Sequence, residues 1–250
     1  MLCPQYKKHI LAFAFVAYVG ACFSGCSHPK NYAHDYIAHA GGCIDGYKYT
    51  NSLEAVQNAI DKDIRYIELD LALTSDSQLV ASHGWEGYMG DNTPSHEEFM
   101  SSRIFGRFTP LDIHRIDSIV ISNSDINLVT DKISDPKIID EHFNKHKYRV
   151  WVECFSDDDY IELERLGYHV MRSQRPYSLP VLIYRAIKHG SLDGFRIHNY
   201  AFRGKSNEEL NNKYGDCFAI FDDANVSIND AKQFFAQDKR VRFVYVDYLE

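Results

Sequence analysis

Short apolar segments alternate with longer amphipathic ones along the chain from Asp35 onward. The short segments have the length and composition of strands, and the longer ones repeat apolar residues at helical spacing. The pattern predicts helices over residues 52–62, 95–105, 137–145, 158–166, 179–188, 207–214 and 228–237, and strands near Tyr36, Tyr66, Leu79, Leu128, Val150, His169, Phe195, Phe218 and Phe243. Strands that alternate with helices are typical of a parallel α/β fold.

The spacing of these elements favours one large domain built as a barrel. The chain has 250 residues, a length that single (β/α)8 barrels reach. The strand that ends at Thr74 and the strand that starts at Leu79 lie too close for the crossover helix of a parallel pair. We therefore expect an α/β fold of the irregular TIM (β/α)8 barrel type, with a doubly wound open sheet as the rival. Nine strand candidates for eight places imply that one is peripheral or misassigned.

The first residues of the chain have the layout of a signal peptide. Lys7 and Lys8 precede an uncharged stretch, 10–27, whose apolar part ends in small residues and cysteines. The apolar part is shorter than the roughly 20 residues that a membrane span needs. We expect residues 1–26 to be a signal peptide and residues 27–250 to form the barrel domain.

Two cysteines in this segment each follow a pair of small residues, as in the bacterial lipoprotein signal. Gly20 and Ala21 precede Cys22, and Ser24 and Gly25 precede Cys26. The sequence predicts lipid attachment at Cys22 or Cys26, with an ordinary cleaved signal as the alternative. The protein is then an exported lipoprotein, periplasmic or at the cell surface, that is anchored to a bacterial membrane.

Composition indicates a folded, acidic body. Hydrophobic residues make up 45% and charged residues 25%, which is typical of globular domains. Removal of residues 1–25 takes away two lysines and no acid, so the net charge changes from -8 to -10. Nucleic acid is not an expected partner, because an acidic surface repels it. Cys43, Cys154 and Cys217 fit neither a disulfide framework nor a zinc pattern, and we interpret them as buried small apolar residues.

Two carboxylates share one face of the strand near Tyr66. Strand alternation puts Glu68 and Asp70 on one side, about 7 Å apart at Cα, and the aliphatic residues on the other. If they face a barrel interior, their repulsion calls for a divalent cation between them. In the alternative interpretation they lie on a solvated face.

Two histidines close predicted strands. His39 ends residues 36–39 and is followed by Ala40 and two glycines, and His83 ends residues 79–83 and is followed by Gly84. In a barrel the C-terminal ends of the strands converge at one mouth, so both imidazoles and both carboxylates are predicted to share a rim. Alternatively, each histidine caps a strand end with no chemical role.

Five short motifs carry a family resemblance: HAGG at 39–42, TNS at 50–52, IELD at 67–70, TSD at 74–76 and SHG at 82–84. In order and spacing they are similar to motifs of the glycerophosphodiester phosphodiesterase family, within the barrel superfamily that contains phosphatidylinositol phospholipase C. The N-terminal third matches by motif and the remainder by rhythm. The resemblance implies an irregular TIM barrel of the phosphatidylinositol phospholipase C-like phosphodiesterase type.

The resemblance also implies roles for residues. His39 and His83 are expected to act as general acid and base, and Glu68 and Asp70 to hold Ca²⁺ or Mg²⁺. Lys132 matches a family lysine and is predicted to bind substrate phosphate.

Other positions depart from the family pattern. Ala40, Thr50 and Gly84 stand where the family has arginine, glutamate and aspartate, and Thr130 stands where it has a third carboxylate. Glu153 is our predicted third metal ligand, with Asp131 the weaker candidate.

Candidates also exist for the remaining binding roles. Asn51 is predicted either to bind substrate or to form a helix capping box with Glu54. Arg172, Arg196 and His198, near later strand ends, are candidates to replace the lost arginine.

The sequence therefore predicts a phosphoric diester hydrolase that cleaves a glycerophosphodiester, a lipid headgroup or a phosphate-bearing glycan, tethered to the membrane by its lipid. Two rival functions are open. Paired carboxylates also serve glycoside hydrolases, although these have no use for the two histidines. A degenerate barrel that binds an anionic headgroup or an envelope protein without turnover is the other alternative, and metal-dependent turnover discriminates the two.

Overall fold

The computed structural model describes residues 33–85, 92–204, 207–222 and 226–250. Within these ranges lie ten strands: β1 Asp35–Ala38, β2 Tyr66–Leu73, β3 Leu79–Ala81, β4 Leu111–Asp112, β5 Asn127–Asp131, β6 Val150–Cys154, β7 His169–Ser173, β8 Asn199–Arg203, β9 Cys217–Phe221 and β10 Val241–Val246. The eight strands other than β3 and β4 pair in parallel with one another, in the order β1-β10-β9-β8-β7-β6-β5-β2. The last of these, β2, also pairs with β1. The sheet is therefore a closed eight-stranded barrel, which confirms the TIM-barrel prediction and excludes the open sheet.

The same described ranges contain seven α-helices: α1 Leu53–Asp61, α2 His96–Ser101, α3 Ile113–Ser122, α4 Pro136–Phe143, α5 Asp157–Leu166, α6 Leu179–His189 and α7 Ile228–Gln237. Serine and aspartate side chains begin most of them by accepting a backbone N–H of the first turn, as Ser156 does for α5. None of the helices in the described ranges has the length and apolarity to cross a membrane.

The barrel interior is packed at one end and polar at the other. Tyr66, Trp151 and Phe243 fill the interior, with ring centroids 4.7 Å apart for Tyr66 and Phe243 and 5.1 Å for Trp151 and Phe243. On β2 the residues between the inward ones, Ile67 and Leu69, pack in the larger core between strands and helices. Because Tyr66 is packed inside the barrel, alternation also directs Glu68 and Asp70 inward.

The segment between β2 and β5 leaves the barrel as a short antiparallel excursion. β3 pairs antiparallel with β2, and β4 pairs antiparallel with β3. The candidate strand near Leu79 is therefore the peripheral one, because its short connection from β2 permits only a hairpin. Asp76 anchors that hairpin by accepting hydrogen bonds from the Thr74 hydroxyl at 2.6 Å and from the His96 N–H at 2.8 Å.

Two secondary-structure predictions are wrong, and one helix was not predicted. Phe195 lies in a 3-10 turn, Asp193–Phe195, where it packs against Tyr214, and the strand begins only at Asn199. The predicted helix 207–214 is a turn, Asn207–Leu210. Helix α3 was missed because its isoleucines and valine favour strands, yet tertiary packing of Ile116 and Val120 makes it helical.

Candidate active site

A backbone N–H in the turn after β1 donates a hydrogen bond to Glu68. Ala40 has a left-handed φ of 48°, and its N–H donates to Glu68 Oε2 at 2.6 Å. Gly42 permits this reversal, since it has a φ of 89° and a Cβ placed there would lie 2.8 Å from Leu249. The His-Ala-Gly-Gly segment thus holds one oxygen of a fully buried carboxylate.

Asn51 holds Asp70 from the other side. Its Nδ2 donates to Asp70 Oδ2 at 2.9 Å, and its Oδ1 accepts from the Asp70 N–H at 2.9 Å. Asn51 is fully buried, so the geometry favours a positioning role over the predicted substrate contact. The capping-box interpretation is wrong, because Ser52 caps α1 and Glu54 accepts instead from Thr109.

Three carboxylates converge at the mouth of the barrel. Glu68, Asp70 and Asp131 each place an oxygen within 4.8 Å of the others. Asp131 ends β5 directly beside Asp70 in the strand register. Glu153, the predicted third ligand, lies in the same pocket but outside this group of three, and it accepts from the Tyr245 hydroxyl at 3.1 Å. Asp131, the weaker candidate in the sequence, is therefore better placed.

The charges of this cluster are not balanced by the protein alone. Burial, reinforced by Asp70 and Asp131, holds the pKa of Glu68 well above its ordinary value. Burial also raises the pKa of Asp131, and together with Asp131 it raises the pKa of Glu153 to about 7. Glu68 Oε1 is buried with no hydrogen-bond partner in the described ranges. Oxygen donors with an unpartnered buried carboxylate fit a hard divalent cation.

The raised pKa of Glu153 predicts how its substitution changes stability with pH. The folded-state pKa of about 7 lies above the ordinary value of 4.5, so the folded protein binds this proton more tightly than the unfolded chain does. Its stabilising effect is complete below the ordinary pKa and is lost as the pH rises through 7. We expect metal-free Glu153→Gln to become progressively more stable than metal-free wild type between pH 5 and pH 8, measured by thermal unfolding in chelator. A constant difference across this range would contradict the expectation.

His39 is held by an acid that the sequence did not single out. Its Nδ1 lies 3.0 Å from Asp247 Oδ1, and its side chain is only 11% exposed. An Nδ1–H that donates to the carboxylate leaves a lone pair on Nε2. Asp247 directly follows β10 at the C-terminal rim, so the rule that selected His39 could have found it.

His83 lies near the mouth, but it does not follow a barrel strand as predicted. The sequence placed it at the end of a barrel strand, but β3 ends at Ala81 and runs antiparallel on the excursion. Its Nε2 nevertheless lies 3.4 Å from Lys132 Nζ, which is 3.8 Å from Asp70 Oδ1. The Tyr49 ring lies 4.8 Å from the His39 ring and 5.0 Å from the His83 ring, so both imidazoles flank one tyrosine.

The residues predicted to replace the family arginine, Arg172, Arg196 and His198, do not line the pocket of His39 and Glu68. Arg172 pairs with Asp157 at 2.9 Å and donates to the Cys154 carbonyl, and His198 lies 3.3 Å from Asp216. Arg196 is exposed on the turn before β8. A different arginine, Arg203, ends β8 and lines the same pocket as His39, Glu68, Asp131 and Glu153.

A closed parallel barrel whose mouth holds a carboxylate cluster beside two imidazoles has the architecture of a TIM-barrel phosphodiesterase, and the comparisons agree. Residues 38–103, about a quarter of the chain, match the Glycerophosphoryl diester phosphodiesterase family. This segment contains His39, Glu68, Asp70 and His83. The resemblance inferred from the motifs is therefore confirmed there.

Solved structures of that name share the fold over nearly the whole chain. A glycerophosphodiester phosphodiesterase from Parabacteroides distasonis has a TM-score of 0.65 at 15% identity, covering 87% of this chain and 94% of its own. The corresponding protein from Thermotoga maritima has a TM-score of 0.58 at 16% identity, with 90% and 97% covered. One from Agrobacterium tumefaciens has a TM-score of 0.60 at 13% identity, with 86% and 97% covered. No curated protein matches the sequence.

Proposed function

We propose that the chain is a metal-dependent phosphodiester hydrolase in which His39 and His83 act as general base and acid. The observation that carries the proposal is the meeting, at one barrel mouth, of two imidazoles and three clustered carboxylates from distant parts of the chain. Neither a glycoside hydrolase nor a purely structural barrel needs both sets of groups in one place.

Cleavage of a phosphodiester requires both the imidazoles and the carboxylates. Cleavage of a phosphodiester removes a proton from the attacking hydroxyl, gives a proton to the leaving oxygen and requires charge neutralisation at phosphorus. His39 is suited to the base role, because Asp247 orients its ring and stabilises the imidazolium that forms. His83 takes the acid role on the other side of Tyr49. A divalent cation supplies the charge neutralisation when it is bound.

The ion is Ca²⁺ or Mg²⁺ in this proposal, and Glu68, Asp70 and Asp131 are its ligands. All three offer carboxylate oxygens, which both ions prefer. Glu153 is close enough to have its pKa raised by Asp131, so its substitution is also expected to affect the site. Lys132, beside Asp70 and His83, is proposed to contact the phosphate.

The proposed substrate is a glycerophosphodiester, a lipid headgroup or a phosphate-bearing glycan. The match to the Glycerophosphoryl diester phosphodiesterase family supports the first of these. By the same resemblance, the attacking group is a neighbouring hydroxyl of the substrate, which displaces the leaving alcohol and gives a cyclic phosphate as the first product. In an ester without such a hydroxyl, water is the attacking group, and its proton goes to the same base.

We also propose that the protein is exported and tethered to a bacterial membrane by a lipid on Cys22 or Cys26. The support is the signal-like sequence of residues 1–26, which lie outside the described ranges. The mass of the N-terminal peptide of the mature protein distinguishes the two cysteines from each other and from an unlipidated signal cleavage.

The direct test of the function is hydrolysis of bis(p-nitrophenyl) phosphate in the presence of Ca²⁺ or Mg²⁺. We expect measurable turnover that is abolished by chelator and restored by excess ion, because chelator removes the cation that is proposed to neutralise the phosphate. Turnover that is unaffected by chelator would remove the proposed role of the cluster. Absence of turnover with either ion, both for this ester and for a glycerophosphodiester that carries the neighbouring hydroxyl, would favour the alternative, a barrel that binds an anionic headgroup without cleaving it.

A further inference from the structure

Arg203 is a cation at the barrel mouth, and its guanidinium has no hydrogen-bond or ion-pair partner among the described residues. We propose that it binds the scissile phosphate from the β8 side, a role that rests on the proposed function. It was not among the residues selected from the sequence, and it takes the place expected there for Arg172, Arg196 or His198.

The position of Arg203 directs it at the site. Ala201 and Arg203 lie two residues apart on β8, and both line the small pocket that His39 and Glu68 also line. Ala201 is a small residue on the same strand, so it leaves space in this pocket. Gly204, which follows Arg203, has no room for a side chain, because a Cβ there would lie 2.3 Å from the Phe202 ring.

An aromatic ring orients the guanidinium. The Arg203 Cζ lies 4.9 Å from the centroid of Phe221, and the same ring lies 4.6 Å from the His39 imidazole. Stacking on a ring fixes the plane of a guanidinium while its N–H groups still point outward. Arg203 and the proposed base therefore contact the same side chain.

The donors of Arg203 have no acceptor in the described part of the chain. Its guanidinium makes no hydrogen bond or ion pair there, although it shares a pocket with Asp131 and Glu153. Other arginines of the protein are paired with carboxylates: Arg65, Arg107, Arg165, Arg172 and Arg240. An exposed, oriented guanidinium without an anion is suited to an anion that arrives with the substrate.

Electrostatics favour a phosphate as that anion. Arg203 lines one pocket with Asp131 and Glu153, so its positive charge lies beside the carboxylate cluster. Lys132 is already within 3.8 Å of Asp70, so its charge is partly compensated. A guanidinium can also offer two parallel N–H groups to two phosphate oxygens. Arg203 on β8 and Lys132 after β5 stand on separate strands around the mouth, from which they can hold one phosphate between them.

The test uses bis(p-nitrophenyl) phosphate, whose single anionic group is the scissile phosphate. We expect Arg203→Met to lower kcat/KM by about ten- to a hundredfold, the scale of a lost charged hydrogen bond, mainly through a higher KM. Arg203→Lys keeps the charge and is expected to recover part of the loss. The matched control is Arg185→Met, because Arg185 also stacks on a ring, Tyr177 at 4.4 Å, but lines a different cavity. It should stay within about twofold of wild type.

Binding of inorganic phosphate to the Ca²⁺-loaded protein, measured by calorimetry, separates this proposal from the proposed function. We expect the phosphate Kd to rise at least tenfold in Arg203→Met and to stay unchanged in Arg185→Met, while Ca²⁺ affinity is retained in both. Phosphate binding that depends on Arg203 in a protein without turnover would support the site and refute the hydrolase. Unchanged kcat/KM and unchanged phosphate Kd in both Arg203→Met and Arg203→Lys would overturn the role of Arg203. No phosphate binding by wild type would also overturn it.

Discussion

Replacement of His39 by alanine is expected to lower kcat/KM for an aryl phosphodiester by at least about a hundredfold, the scale of general acid–base catalysis. The side chain lines the pocket of Glu68 and Asp131, and it is oriented there by Asp247. His83→Ala is expected to cause a loss of the same order for a glycerophosphodiester, because its alkoxide leaving group needs a proton. The loss is expected to be smaller for the aryl ester, because a nitrophenolate leaves without one. The measurement is steady-state hydrolysis of bis(p-nitrophenyl) phosphate and of a glycerophosphodiester at saturating Ca²⁺ or Mg²⁺.

Two further variants make this prediction specific. Asp247→Asn keeps a hydrogen-bond acceptor for His39 but removes the charge that stabilises its imidazolium, so we expect kcat to fall by about tenfold or more while KM stays near the wild-type value. His114 is exposed on α3 and belongs neither to the pocket of His39 nor to the carboxylate cluster, so His114→Ala serves as the matched control with activity near wild type. If His39→Ala and His83→Ala were both as active as this control, the imidazoles would have no catalytic role.

The fold and the centre of the site were predictable because their signals are local. The alternation on β2 places Glu68 and Asp70 on one face of the strand. His39 directly follows a short strand and precedes Ala40 and two glycines. These features depend only on neighbouring residues. Barrel closure then brings them together, since β1 pairs with β2.

Asp131 was ranked too low and Arg203 was missed, because both lie at the ends of later strands whose exact limits and register the sequence does not show. On β5 the inward positions are Val129 and Asp131, so the position that corresponds to the family carboxylate, Thr130, faces the other way. Strand alternation applied there would have ranked Asp131 above Glu153. On β8 the same rule selects Arg203, but the predicted strand began near Phe195, so Arg203 fell beyond its end.

Asn51 hydrogen-bonds Asp70, a residue distant in the sequence, and does not form the capping box that its local spacing predicts. The spacing of Asn51 and Glu54 is that of a capping box, and a helix does begin there. Asp70, however, binds both ends of the Asn51 amide, and this partner is brought near only when β2 joins the barrel. The neighbouring Ser52 caps the helix instead, which shows how a capping segment can supply two side chains with different roles.

Glu68→Gln is expected to abolish the stabilisation that the divalent cation gives to wild type. An ion that binds only the folded state stabilises it by about 2.7 kcal/mol at a concentration one hundred times Kd. Glu68 supplies a buried oxygen with no partner in the described ranges, and an amide is a much weaker ligand for a hard cation than a carboxylate is. We therefore expect thermal unfolding of wild type, but not of Glu68→Gln, to shift by several degrees on addition of Ca²⁺ or Mg²⁺.

In chelator the order of stability should reverse. Without an ion, the buried Glu68 carboxylate is destabilised by burial and by Asp70 and Asp131, and the neutral amide relieves this repulsion. We expect metal-free Glu68→Gln to be more stable than metal-free wild type at pH 8, whereas Glu162→Gln, on the exposed face of α5, should leave both measurements unchanged. A metal-induced shift of wild-type size in Glu68→Gln would exclude this carboxylate as a ligand. The same pair of measurements identifies the third ligand, because Asp131→Asn is expected to lose more of the ion-induced shift than Glu153→Gln.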